Sequence, residues 1–197
     1  MIAILDSGTA NLTSVAAAFE RMDIPATITS NPNDLRAASH VILPGVGSAG
    51  AAIRALQEKG LLETVCALTQ PVLGICLGMQ ILFDFSEESE GTSCLGVVPG
   101  KVKKLDVDDR LTLPHMGWNN LETRSKKHPL LHGIENGTYM YFVHSFAAPV
   151  SEVTLAICTY GQSFTAMCSH KNFYGCQFHP ERSGEVGARI LRNFMEI

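Results

Sequence analysis

Short apolar runs that do not alternate with polar residues place the first constraint on this chain. "MIAILD" at 1–6, "HVILP" at 40–44 and "PVLGI" at 71–75 are apolar at successive positions. A strand of that kind needs cover on both faces, and sheets covered on both faces are parallel ones with helices above and below. The intervening segments supply the helices. "LTSVAAAFERM" at 12–22 carries Leu12, Val15, Ala16 and Phe19 at helical spacing. "NPNDLRAA" makes a short helical turn, a helix runs from the glycine loop "GVGSAG" to about Lys59, and another spans "LLETVCALT". With "ATITS" as a β-branched strand, the first half predicts an open, mostly parallel, doubly wound α/β sheet.

The rhythm changes after about Gly91. "VVPGKVKKLDV", "TYMYFVHSF", "VTLAICTYG", "SFTAMCSH" and "NFYGCQFHP" read as strands joined by short turns. They predict an antiparallel or mixed extension of the same sheet, and "GEVGARILRNFMEI" closes the chain as an amphipathic helix. No repeat or linker interrupts residues 1–197, which are expected to form a single domain.

Charge narrows the function classes. Fifteen Lys and Arg stand against nineteen Asp and Glu, a net of −4, with no basic stripe or tail to meet nucleic acid or an anionic membrane. No apolar run approaches the ~18 residues of a spanning helix, and Met1 leads into "IAILD" without a basic leader. The six cysteines (66, 76, 94, 158, 168, 176) are irregularly spaced and read as free thiols of a reduced, cytoplasmic protein. None belongs to a CxxC pair, and neither a metal nor a cofactor is expected.

One of those thiols stands out. Cys76 lies where the apolar strand "PVLGI" gives way to "LGMQILF", which reads as the first turns of a buried helix, and it is flanked by Gly74 and Gly78. G-x-C-x-G has the build of the nucleophile elbow, in which glycines permit a sharp strand-to-helix turn with the reactive side chain at its apex. The helix start adds unpaired N–H groups and a positive dipole end, which favour a thiolate, and the Leu77 N–H could meet a developing oxyanion. Taken alone, the residue admits two readings, a small buried filler or a nucleophile.

A thiol nucleophile needs an imidazole base and a group that orients it. Of seven histidines, His179 in "CQFHPERSG" has the fitting context. An apolar strand delivers it, Pro180 ends the pairing, and Glu181 lies within reach of the same ring. His40, His128, His132 and His170 sit at strand openings or polar turns and read as surface or capping residues.

Together, "PGVG" at 44–47, "GICLGMQ" at 74–80 and "FHPE" at 178–181 resemble, in order and spacing, the class I (triad-type) glutamine amidotransferases. Further marks, "NL" at 11–12, "LPHMGWN" at 113–119, "YFVHSF" at 141–146 and "HPERSG" at 179–184, are similar to one subgroup. Its members are the glutaminase subunits of imidazole glycerol phosphate synthase, an enzyme of histidine biosynthesis that makes imidazole glycerol phosphate and AICAR.

The resemblance implies hydrolysis of L-glutamine to glutamate and ammonia, with Cys76 as nucleophile, His179 as base and Glu181 as its orienter. It implies an oxyanion hole from the backbone of Val46, Gly47 and Leu77, and substrate contacts from Gly45, Gln80, His144, Ser145 and Phe146. It also implies a heterodimer with a TIM-barrel cyclase subunit. Asn11, His115, Met116, Trp118, Asn119 and Arg182 would lie at that interface or at the ammonia exit. From composition alone, Met116 and Trp118 read as core. The first loop, "DSGTANL", lacks the aromatic residue common among relatives, and Phe146 stands where tyrosine is frequent. One competing reading is a non-catalytic module on the same fold, disfavoured by the intact Cys76, His179 and Glu181; another keeps the chemistry but serves a different partner, such as an anthranilate- or pyridoxal-phosphate-type synthase, and is disfavoured by "PHMGWN".

Overall fold

A computed structural model describes residues 1–8, 11–125 and 127–197. In chain order the strands are β1 (Ile2–Leu5), β2 (Ala26–Thr29), β3 (His40–Gly45), β4 (Val72–Cys76), β5 (Phe85–Ser86), β6 (Thr92–Ser93), β7 (Lys101–Lys104), β8 (His115–Asn120), β9 (Glu122–Thr123), β10 (Tyr139–His144), β11 (Phe146–Ala147), β12 (Thr154–Tyr160), β13 (Gln162–His170) and β14 (Phe173–Cys176). The α-helices are α1 (Leu12–Glu20), α2 (Pro32–Ala37), α3 (Ala49–Glu58), α4 (Leu62–Cys66), α5 (Leu77–Gln80) and α6 (Gly184–Met195).

The main sheet has the order β2-β1-β3-β4-β14-β13-β12-β9. Its first five strands are mutually parallel, and β13, β12 and β9 continue it antiparallel. The apolar runs do what their composition requires. Ile2 and Ile4 of β1 enter one core layer with Val15 and Phe19 of α1 and Ile190, Leu191 and Phe194 of α6. Ala3 and Leu5 enter the opposite layer with Leu35 of α2, Ala52 and Leu56 of α3 and Val65 of α4. Each strand residue points to the face opposite its neighbour's, so a fully apolar strand feeds two cores at once.

The second half departs from expectation in part. Strands β12 to β14 extend the main sheet, but β10 leaves it to form an antiparallel ribbon with β8, and β7 joins a small sheet of order β11-β7-β5-β6. The reason is one-sidedness. Met140, Phe142 and His144 of β10 are buried while Tyr139, Tyr141 and Val143 are not, a pattern suited to a strand lying over a core layer rather than inside a sheet covered twice. Strand β8 is not evident from the sequence, because Gly117, Asn119 and Asn120 are poor strand formers; it exists by pairing with β10. Helix α5 ends at Gln80 rather than running on through Phe83. The carbonyls of Ile81, Leu82 and Phe83 are taken by N–H groups of residues 95–98, which leaves no helical ladder to continue. Among the described residues, no helix is long and apolar enough to cross a membrane.

Candidate active site

The site begins with the turn between β4 and α5. Cys76 sits at φ 54°, ψ −112°, a left-handed conformation that a side-chain-bearing residue adopts only where its surroundings impose it. Three glycines impose it. A Cβ on Gly74 would lie 2.6 Å from the Met79 nitrogen, one on Gly45 would lie 2.8 Å from the Gly78 nitrogen, and one on Gly78 would collide with the Leu43 carbonyl. Strands β3 and β4 and the start of α5 thus pack backbone to backbone, and the chain can reverse only by driving Cys76 to the apex.

Strands β3 and β14 flank β4, with Gly45 beside Cys76 and Cys176 beside Ile75. The loops after these three adjacent C-terminal ends therefore converge: Val46–Gly47 after β3, Leu77 after β4 and His179 beyond β14. His179 is tied down by its N–H to the Tyr141 carbonyl at 2.9 Å. Ser183 Oγ donates to the His179 carbonyl and accepts the Tyr141 N–H. His179 Nδ1 lies 2.8 Å from Glu181 Oε1. A carboxylate only accepts, so Nδ1 carries the proton and Nε2 is left for the thiol side. Burial pulls this imidazole down, but the hydrogen bonds and charges of Cys76 and Glu181 together outweigh it, and its pKa rises to about 10.

Cys76 opens into a cavity of about 310 Å³. Of the residues expected there, Val46, Gly47, Leu77, Gln80, His144, Ser145, Phe146 and His179 line it. Gly45 does not line it; it is buried against α5 and serves the close packing described above. Gln80 is buried, its Nε2 donating to the Phe146 carbonyl at 2.7 Å and to Gln177 Oε1 at 3.1 Å. The Cys76 thiol lies 3.6 Å from the Val143 carbonyl, and Gln177 Nε2 lies 3.9 Å from its sulfur.

Two polar residues at this site are not evident from the sequence. Gln177 is fully buried, and its signal was present as a lone polar side chain in the apolar run "FYGCQF". Glu88 lines the cavity, with Oε2 accepting the Ala49 N–H at 2.6 Å. It comes from a polar segment, "SEESEG", that offers no local cue. Burial drives Cys158 and Cys168 to about 12 and Cys94 to about 11, which keeps them protonated at neutral pH.

The residues expected at a partner face divide. Met116 and Trp118 project outward from β8, 63% and 56% exposed, with Trp118 edge-on to Tyr141 at 5.9 Å. Arg182 and Asn11 are also exposed, Asn11 capping α1 through Oδ1 to the Ser14 N–H. His115 points the other way. The strand's alternation turns its ring inward, only 3% of the residue is exposed, and it stacks between Tyr160 and Phe142. Asn119, on the same side, is half-buried. In the first loop, Thr9 and Ala10 lie outside the described residues.

A family model described as "Glutamine amidotransferase class-I" matches residues 3–197. The chain belongs to the class-I glutamine amidotransferases. Among curated relatives, the imidazole glycerol phosphate synthase subunit HisH of Escherichia coli is 48% identical, the match covering 100% of this chain and 99% of the relative. The protein of the same name from Shewanella loihica is also 48% identical, over 98% of this chain and 89% of the relative. Solved structures agree on the amidotransferase fold at much lower identity. One titled as a glutamine amidotransferase superposes with a TM-score of 0.76 at 18% identity, and PurLQS from Thermotoga maritima with 0.70 at 17%. Each match covers 99% of this chain and 97% of the other.

Proposed function

We propose that this amidotransferase is the glutaminase subunit of an imidazole glycerol phosphate synthase, working as one unit over residues 1–197 and supplying ammonia to a TIM-barrel cyclase subunit in the cytoplasm. The observation that carries the chemistry is a strained thiol at a strand–helix elbow, facing a cavity that also holds an imidazole oriented by a carboxylate. The near-half identity to HisH proteins over the whole chain supports the pathway and the partner class.

In the reaction, Cys76 gives its thiol proton to His179 Nε2 as its sulfur attacks the side-chain amide carbon of glutamine. The developing oxyanion meets the Leu77 N–H and an N–H of the Val46–Gly47 turn. His179 passes its proton to the departing nitrogen, so ammonia leaves and a glutamyl thioester remains on Cys76. A water molecule, deprotonated by His179, hydrolyses the thioester to glutamate and restores the thiol. Glu181 keeps the imidazole in the useful tautomer throughout. Gln80 and the backbone of residues 144–146 hold the amino acid, and the Glu88 carboxylate suits its α-ammonium group. Met116 and Trp118 are large apolar anchors of the kind that dominate protein interfaces, and with Asn11 and Arg182 they form the face we assign to the cyclase.

The test is Cys76→Ser. It should abolish glutamine hydrolysis while leaving the fold and cyclase binding intact, and a diazo-type glutamine analogue should label Cys76 rather than the other thiols. Persistent turnover in Cys76→Ser would overturn the assignment. Turnover by the chain alone, with the cyclase, and with the cyclase and its ligand should rise in that order. Removing a single oxyanion donor costs roughly 10²–10³ in rate, so assembly of the hole by the partner should activate on about that scale.

A further inference from the structure

The two buried histidines outside the triad form a directed hydrogen-bond chain, and its direction can be deduced one atom at a time. His144 Nδ1 lies 2.9 Å from the Phe146 carbonyl. A carbonyl only accepts, so Nδ1 carries the hydrogen. Burial holds His144 near pKa 3, so the ring is neutral at working pH and its Nε2 must accept. The atom opposite is His115 Nδ1 at 3.0 Å, which must therefore donate. Burial holds His115 near 4, which leaves its Nε2 as an acceptor, facing Asn119 Nδ2 at 3.3 Å. The Asn119 amide is fixed in the required sense by two other groups. Its Oδ1 accepts the Asn120 N–H at 2.8 Å, and its Nδ2 also donates to the Thr159 carbonyl at 3.0 Å.

Every ring nitrogen of the pair is thus used, and only one arrangement of tautomers satisfies them all. The His115 ring cannot readily swing away, because it stacks 4.1 Å from Tyr160 on one side and 4.9 Å from Phe142 on the other. At the far end, the Phe146 carbonyl accepts from both His144 and Gln80. Its two lone-pair directions are filled. That carbonyl is the joint between the histidine pair and the Gln80–Gln177 pair that reaches Cys76. His144, Phe146 and Gln80 all line the cavity, whereas His115 does not.

We infer that His115 is a positioning residue: by donating to His144 it fixes the cavity wall at residues 144–146 and the Gln80 amide, and so sets the affinity for glutamine without touching it. This rests on the glutaminase reading above. The physical reason is that a buried acceptor stripped of its donor must find another partner. Without the His115 donor, His144 Nε2 is a buried acceptor with no partner, and turning the ring to find one costs the Phe146 carbonyl its bond.

The test uses the chain assembled with its cyclase subunit. His115→Phe keeps an aromatic ring for the stack and removes both nitrogens. It should raise KM for glutamine roughly tenfold, the scale of one buried hydrogen bond, with kcat within about threefold. His115→Asn keeps an amide donor near the Nδ1 position and should return KM to within about threefold of the wild type. An unchanged KM in folded His115→Phe would overturn the inference, as would an equal loss in both variants. A measurement on the unmutated chain holds even if a variant fails to fold. Nitrogen-15 spectra should show His144 protonated at Nδ1 and not at Nε2, with a scalar coupling between His115 Nδ1 and His144 Nε2. A proton on His144 Nε2 would refute the chain of donors. Absence of glutamine turnover by the wild-type complex would instead defeat the glutaminase reading itself.

Discussion

Replacing Gly74 by alanine tests whether the elbow is imposed by packing. Gly74 is buried in β4, and a Cβ there would meet the Met79 nitrogen at 2.6 Å and the Gly78 carbonyl carbon and oxygen at 2.7 Å. These are backbone atoms of α5, so no side chain can yield in their place. Restoring ordinary contact at 3.4 Å moves the start of α5 by about 0.8 Å. Overpacking of this kind costs about 1–3 kcal/mol. In a chain of this size that lowers Tm by roughly 2–4 °C per kcal/mol. The functional loss should be larger than the folding loss suggests, because Leu77 and Gln80 ride on the displaced helix. A displacement near 1 Å costs on the order of 10²-fold in rate, so turnover should fall roughly ten- to a hundredfold while most molecules remain folded. Gly60→Ala is the control. Gly60 also has a positive φ, 65°, but open space around it, so it should lose about 1–2 kcal/mol from strain alone and keep its turnover. Calorimetry and steady-state glutamine hydrolysis on both variants give the answer. Turnover in Gly74→Ala within about twofold of the wild type would refute the claim that this contact positions the site.

His179→Ala should lose nearly as much turnover as Cys76→Ser, because groups acting as a unit fail together, whereas Glu181→Gln should lose less; single-turnover rates on purified complex would separate them. The raised pKa of His179 makes a stability prediction: a group drawn up from 6.5 to about 10 contributes fully below about pH 6.5 and loses that contribution as pH climbs through 10. Urea midpoints between pH 7 and 10 should therefore fall more steeply in the wild type than in His179→Gln, and parallel slopes would argue against the charged pair. Trp118→Ala should weaken cyclase binding by roughly 2 kcal/mol or more, about thirtyfold, without changing Tm, as titration calorimetry and thermal melts would show.

Local composition settled much of this molecule. The runs around Ile2–Leu5, His40–Gly45 and Val72–Cys76 read as buried strands, since they are apolar at both even and odd positions and too short for a buried helix. Gly74 and Gly78 around Cys76 announced a sharp turn because each leaves a gap that only backbone can fill. His179 and Glu181 were legible as a pair because an extended segment puts residues two apart on one side. What lay beyond reach was pairing. Nothing near residue 173 says that β14 runs parallel beside β4, yet that register alone brings His179 to Cys76. Nothing near residue 115 says that β8 pairs with β10, and that register turns His115 inward beneath Tyr160 while Met116 and Trp118 face out. Gln177 reaches the site just beyond β14, through that strand's pairing with the distant β4, and Glu88 reaches it from a turn after β5. Periodicity tells a strand which faces it has; only its neighbour across the sheet decides what those faces meet.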